Sequence, residues 1–211
     1  MNRVAELLAL ADQVTGFMPS DEGRALFDNA LLHGVRKPNG TWLEIGSYCG
    51  KSSIYLGAAA EQGSCVLYCL DHHHGSEENQ VGWPYHDPSL VDLEDGRLNT
   101  LPHWQRNIAK ARLEDTVVGL VGESSIIAKH FAQPLDLLFI DGGHGHDVAW
   151  RDFQLCARKI SVGGFLIIHD VFSNPADGGQ VPYEIYRAAI KSGVFVDVAE
   201  VGSLRVTVRI R

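Results

Sequence analysis

The chain has 211 residues with 26 acidic against 18 basic side chains, a net charge of -8, and that balance disfavours nucleic acid and anionic membrane surfaces as partners. It has no stretch of the roughly 18 apolar residues that a membrane helix needs and no leader-like N-terminus, which points to a cytoplasmic chain acting on a small molecule. Without a linker or repeat, residues 1–211 read as one domain with a substantial core, and Cys49, Cys65, Cys69 and Cys156 read as buried free thiols because no second Cys or His pair completes a zinc site.

From the N-terminus, Val4, Leu7, Leu8, Leu10, Ala11 and Val14 recur at helical spacing, as do Leu26, Ala30, Leu31 and Val35, with Ser20 ahead of Asp21 and Glu22 as an N-cap. These helices, over about residues 2–36, precede the sheet and are available to pack on its edge, to cover a cofactor pocket or to form a homodimer contact. Trp42, Leu43 and Ile45 then form a strand that feeds a loop bounded by Gly46 and Gly50, and a helix runs from Lys51 to Ala60. Gly46 and Gly50 enclose only Ser47, Tyr48 and Cys49, one residue too few for a phosphate-cradling loop. A dinucleotide fingerprint fails as well, since Tyr48 stands where the middle glycine belongs. What remains, Glu-x-Gly-x-x-x-Gly from Glu44, resembles the first motif of the class I S-adenosylmethionine-dependent methyltransferases. Glu44, Gly46, Ser47, Gly50 and Ser52 are the cradle residues this implies, Glu44 as an acceptor for ligand hydroxyls or amines.

Cys65 to Leu70 reads as a buried strand ending in Asp71, placed to hold a ribose diol or simply to cap a turn. Residues 72–99 are irregular and carry Trp83 and Tyr85, the pattern of a lid over a ligand. Adjacent His72, His73 and His74 point in different directions, which favours loop or substrate contacts over a metal site. A helix follows over Leu101 to Leu113 and a strand over Val117 to Val121, after which Glu123 or Ser124 meets an adenine edge, or Ser124 caps the helix from Ser125 to Phe131. The strand Leu135 to Ile140 ends at Asp141, Gly142, Gly143, His144, Gly145, His146 and Asp147, and a helix passes through Val148, Phe153, Leu155 and Cys156. Gly163 and Gly164 turn into a strand over Phe165 to Ile168 that ends at His169 and Asp170; a helix from Tyr183 to Lys191 and two strands, Val194 to Val198 and Leu204 to Ile210, complete the chain.

Apolar strands alternating with helices predict an α/β fold, a Rossmann-like doubly wound, mostly parallel seven-stranded sheet with an antiparallel C-terminal strand. The short link before Leu204 forces the last pair to be antiparallel. In such sheets ligands bind outside the carboxyl ends of the strands, which places every polar strand end named above on one rim.

Leu135 to His144, followed by Gly163 to Val171, resembles the small metal-dependent O-methyltransferases of class I, and with the glycine motif and Asn107 to Asp115 the resemblance covers residues 20–171. Within that class it resembles the actinobacterial sugar O-methyltransferases, including mycobacterial enzymes acting on mannosides. The resemblance implies S-adenosylmethionine as cofactor, Asp141 also beside it, and a divalent cation held by Asp141, His169 and Asp170. Where His169 stands the pattern has an acidic residue, so Mn2+ or another transition ion is open beside Mg2+, as is an outer-shell role for His169. His144 is the first choice of general base and His146 the second, with helix capping as the alternative. The acceptor implied is a hydroxyl of a sugar or oligosaccharide. A metal-free enzyme acting on a phenolic or antibiotic hydroxyl, a nicotinamide-dependent oxidoreductase or epimerase, and a non-catalytic nucleoside-binding module are the other readings.

Overall fold

The computed structural model describes residues 2–211. Two helices, α1 (Arg3–Gln13) and α2 (Ser20–Arg36), lead into β1 (Thr41–Ile45), α3 (Lys51–Gly63) and β2 (Val66–Asp71). After the long insertion come α4 (Leu101–Ala111), β3 (Val117–Val121), α5 (Ser124–His130), β4 (Leu135–Ile140), α6 (His146–Cys156), β5 (Ile160–Ile168), α7 (Val181–Lys191), β6 (Phe195–Val201) and β7 (Leu204–Arg209). The seven strands lie in the order β3-β2-β1-β4-β5-β7-β6. β1 to β5 pair in parallel, and β7 runs antiparallel between β5 and β6. This is the doubly wound, mostly parallel sheet expected, with strand order reversing between β1 and β4.

Alternation along the strands builds both cores. Leu137, Phe139, Phe165 and Ile167 face one layer with α1 to α4, while Leu138, Ile140, Leu166 and Ile168 face the other with α5 to α7. α2 is bound closely to α3. A Cβ on Gly63 would lie 2.9 Å from Gly34 backbone atoms, and one on Gly23 only 2.3 Å from the Tyr55 ring. Helix axes approach that closely only where one surface lacks a side chain.

Three expectations shift. Pro19 occupies the cap of α2, so Ser20 opens the helix instead of capping it. Glu123 holds the cap position of α5 without a side-chain bond, and Ser124 is the first helical residue. β5 starts at Ile160 and runs through Gly163 and Gly164, with an irregular register against Leu135 and Leu137, because the two glycines form a strand irregularity where a turn was read.

The insertion is anchored at several points. His73 is buried and its Nδ1 meets Thr100 Oγ1 at 2.8 Å, Leu90 and Leu98 enter the core, and Val91 bridges to Leu98. Short turns at Glu77–Asn79 and Pro88–Leu90 punctuate it, leaving Val81, Trp83 and Tyr85 exposed at its tip. Among the described residues no helix is long and apolar enough to cross a membrane.

Candidate active site

The glycine loop is shaped by its neighbours. Gly46 sits at φ +87°, donates its N–H to Leu70 O at 3.0 Å, and a Cβ there would lie 2.2 Å from Asp141 O. Only hydrogen fits between the ends of β1 and β4. Gly50, at φ +94°, caps α3 and donates to Ser47 O at 2.7 Å. Asp71 accepts backbone N–H groups from Ser47 at 2.9 Å, Tyr48 at 2.8 Å and His73 at 2.7 Å. A carboxylate offers about four acceptor positions, so Asp71 fixes the loop with three of them and has one left over.

Glu44 departs from its expected role. It has no exposed surface, accepts a hydrogen bond from the Ser53 hydroxyl, and lies under the loop, so it supports the cradle and does not line it. Ser52 is also buried. Ser47 Oγ and Tyr48 Oη, like Glu44 Oε1, are buried without a hydrogen-bond partner, and buried hydroxyls in that state suit a polar ligand laid over the loop. Of the residues expected near an adenine, Ser124 is half-buried as the first residue of α5, while Glu123 is exposed at its cap.

Across the rim, Asp141 follows β4 and His169 and Asp170 follow β5; the Asp141 N–H bonds to Ile45 O at 2.9 Å and the His169 N–H to Ile140 O at 3.1 Å. One ligand atom from each of these three side chains lies within 4.8 Å of the others. His169 Nδ1 is 2.9 Å from Asp141 Oδ1 and 3.5 Å from Asp170 Oδ1, while its Nε2 is 2.6 Å from Glu22 Oε2 of α2. Burial acts to lower the His169 pKa, but the charge and hydrogen bond of Asp141, then Glu22 and Asp170, push it up to about 11. For Asp141, burial and then the Asp170 charge outweigh His169 and raise its pKa. Asp170, held at φ +55°, is pulled below the usual carboxylate range because His144 and His169 outweigh its burial. Two oxygens and one nitrogen this close together are a donor set that suits a divalent cation once the Nδ1 proton is given up.

His144 joins this cluster. Its Nε2 is 3.2 Å from Asp170 Oδ2 and its Nδ1 3.3 Å from Glu78 Oε1 of the insertion. Burial lowers its pKa, but Asp170, then Glu78 and Asp141, outweigh burial and raise it. His146 does not take part: it opens α6 with its side chain 67% exposed and paired to Asp147. In the histidine triplet His73 turns inward to Thr100, while the His72 and His74 rings stack at 6.0 Å, His74 meeting Leu98 O and His72 accepting the His74 N–H.

Glu22 and Glu78 are the site residues that sequence reasoning missed. Glu22 looks like an ordinary acidic residue of a helix's first turn, and only the fold carries it 147 positions along the chain to His169. Glu78 lies in an irregular segment where no periodicity predicts direction.

A family profile described as a methyltransferase domain matches residues 43–171. Among solved structures, a cofactor-bound protein from MTB superposes with a TM-score of 0.62 at 20% identity, covering 99% of this chain and 90% of its own. The SAH-bound methyltransferase PaMTH1 of Podospora anserina gives 0.67 at 14% identity, covering 100% and 88%. The O-methyltransferase TomG of Streptomyces achromogenes, solved with SAM and involved in tomaymycin synthesis, gives 0.64 at 15% identity, covering 100% and 91%. At these identities the structural likeness speaks to the fold, and the profile speaks to the family. Its span takes in the glycine loop, Asp71, and the Asp141, His144 and His169 cluster, and on that match the chain belongs to the methyltransferase-domain family.

Proposed function

We propose that the chain transfers the methyl group of S-adenosylmethionine to a hydroxyl of a sugar or similar polyol, with assistance from a divalent cation. The observation that carries this reading is the convergence of Asp141, His169 and Asp170 beside His144, on the same strand-end rim as a glycine loop with unpartnered hydroxyls at Ser47 and Tyr48. Asp141, His169 and Asp170 would hold the cation, which supplies orientation and acidification of an acceptor hydroxyl. His144 stands next to that position to take the proton. The loop and Asp71 hold the donor so that sulfonium methyl and acceptor oxygen align; alignment of this kind is worth about 7 to 11 kcal/mol over free encounter.

Exposed aromatic rings favour a second acceptor class. Phe17 lies 5.5 Å from Tyr48 and 5.1 Å from Tyr85, ring centre to ring centre, and both Phe17 and Tyr85 are exposed. Such a surface suits a phenolic or other flat natural product as well as the apolar face of a sugar.

Melting curves with S-adenosylmethionine or S-adenosylhomocysteine, with and without Mg2+ or Mn2+, followed by a methyl-transfer screen over sugars and phenols, test the proposal. A ligand at one hundred times its dissociation constant stabilises by about 2.7 kcal/mol. Absence of any shift with either sulfur compound overturns the cofactor reading, and protection by NAD alone makes an oxidoreductase the better one. Full turnover of a phenol in excess chelator selects the metal-free alternative, while binding without turnover on any acceptor indicates a non-catalytic module.

A further inference from the structure

Glu22 is 5% exposed, and the protein is arranged around its carboxylate. Oε1 accepts the Ser203 backbone N–H at 2.6 Å; Oε2 accepts the Ser203 hydroxyl at 3.0 Å and the His169 Nε2–H at 2.6 Å. The turn between β6 and β7 makes room for it, since Gly202 lies at φ +54° and a Cβ there would be 2.0 Å from Glu22 Oε1. Three separate segments thus meet at this group: α2, the end of β5 and the β6–β7 turn. With Nε2 committed to Glu22, the other ring nitrogen, Nδ1, donates to Asp141 Oδ1 at 2.9 Å and lies 3.5 Å from Asp170 Oδ1, so a cation bound between them would take the place of the Nδ1 proton.

A carboxylate that fixes the far nitrogen of an imidazole sets its tautomer, orients the ring and makes the near nitrogen a better donor to a metal. Imidazole nitrogen beside two carboxylates suits a transition ion, whereas Mg2+ selects oxygen ligands. We propose that Glu22 is a positioning residue which, acting through His169, gives this site a fixed nitrogen donor and a preference for a transition-type divalent cation such as Mn2+ over Mg2+. The inference rests on the proposed reading of Asp141, His169 and Asp170 as a cation site, and it adds a helix outside the rim to that site.

Glu22→Gln is the informative change. Its amide can satisfy Ser203 only by presenting NH2 to His169, which then accepts at Nε2 and carries its proton on Nδ1, facing the cation position. Mn2+ binding to the full chain, read by electron paramagnetic resonance with Mg2+ as competitor and no acceptor present, tests this. Wild type is expected to bind Mn2+ and to resist displacement by Mg2+. Glu22→Gln is expected to bind Mn2+ about 10- to 100-fold more weakly with a reduced Mn2+ over Mg2+ preference. In a His169→Asn background the same change is expected to have no further effect on affinity.

Melting of the metal-free variants shows whether each is folded. If Glu22→Gln does not fold, Glu22→Asp keeps the buried charge while withdrawing it from Nε2 and is expected to lower Mn2+ affinity several-fold. Wild-type affinity in the folded Glu22 variant overturns the proposal, as does an equal loss in the His169→Asn background. A wild-type chain that binds neither ion overturns the cation reading as well, while its melting shift with S-adenosylmethionine still reports separately on the methyl donor.

Discussion

Glu44 is a carboxyl with no exposed surface, and burial pushes its pKa from 4.5 up to about 7 against hydrogen bonds from Cys69, Ser52 and Ser53. The sign follows from proton binding. Below 4.5 the group is neutral in both folded and unfolded chains, and its contribution to stability is fully present. Between 4.5 and 7 the unfolded chain loses the proton while the folded one keeps it, so stability is lost as pH rises, by on the order of 3 kcal/mol across the window. Glu44→Gln imitates the neutral form and is expected to flatten this part of the curve, seen as a melting temperature that gains on wild type as pH rises from 4.5 to 7. A constant gap between the two proteins would show Glu44 ionised throughout. Asp152, raised by burial from 3.8 to about 6, has the same sign in its own window. His144 is a different kind of residue because it faces the cluster. His144→Ala is expected to lower turnover by about 10²- to 10⁴-fold while leaving the melting shift with S-adenosylmethionine intact; unchanged turnover places the base elsewhere.

At the scale of elements, the strands and helices were legible because their chemistry is local. Leu137 to Ile140 is apolar along both faces since that part of β4 is buried on both, and a run of that kind cannot stay in water. Turn signals were less informative. Gly163 and Gly164 resemble a turn, yet Gly164 lies in β5 because a Cβ there would stand 2.9 Å from Asp136 O, so the glycine serves close strand approach. Topology put the strand-end residues Asp141, His169 and Asp170 on one rim and the family resemblance grouped them, whereas Glu22 and Glu78 were missed because partners distant in sequence leave no periodic trace. The same distinction separates two glycines of one loop. Both Gly46 and Gly50 have positive φ, which costs a side-chain-bearing residue about 1 to 3 kcal/mol. A Cβ on Gly50 meets the Trp104 ring at 3.1 Å, but one on Gly46 meets the Asp141 carbonyl at 2.2 Å. Gly46→Ala is therefore expected to lower the melting temperature further than Gly50→Ala and to weaken cation binding by moving Asp141. Equal melting shifts would mean that backbone conformation alone sets the cost.

For the molecule as a whole, the question is where the folding unit begins. The family profile starts at residue 43, which invites a cut before β1, but packing argues against it. Leu7, Val14, Met18, Leu26 and Phe27 are buried in the same layer as Trp42, Ile54 and Tyr55. At about 1.5 to 3 kcal/mol for each large apolar side chain buried, these five contribute an amount comparable to the net stability of a typical domain, about 5 to 15 kcal/mol. The loss is not confined to the removed residues. Without α2, the face of α3 carrying Tyr55 and Gly63, and the ring of Trp42 behind it, would meet water. His169 would at the same time lose Glu22, the acceptor that fixes its Nε2–H, beside Asp141 and Asp170. A chain beginning at Thr41 is therefore expected to lose cooperative thermal unfolding, to bind a hydrophobic dye, and to bind neither Mn2+ nor S-adenosylmethionine. Circular dichroism in the near ultraviolet, together with calorimetry, decides the matter. A sharp transition in the shortened chain would show that β1 to β7 and their remaining helices fold alone, leaving α1 and α2 as a cover over a finished site; a broad one makes the N-terminal helices part of the core that builds it.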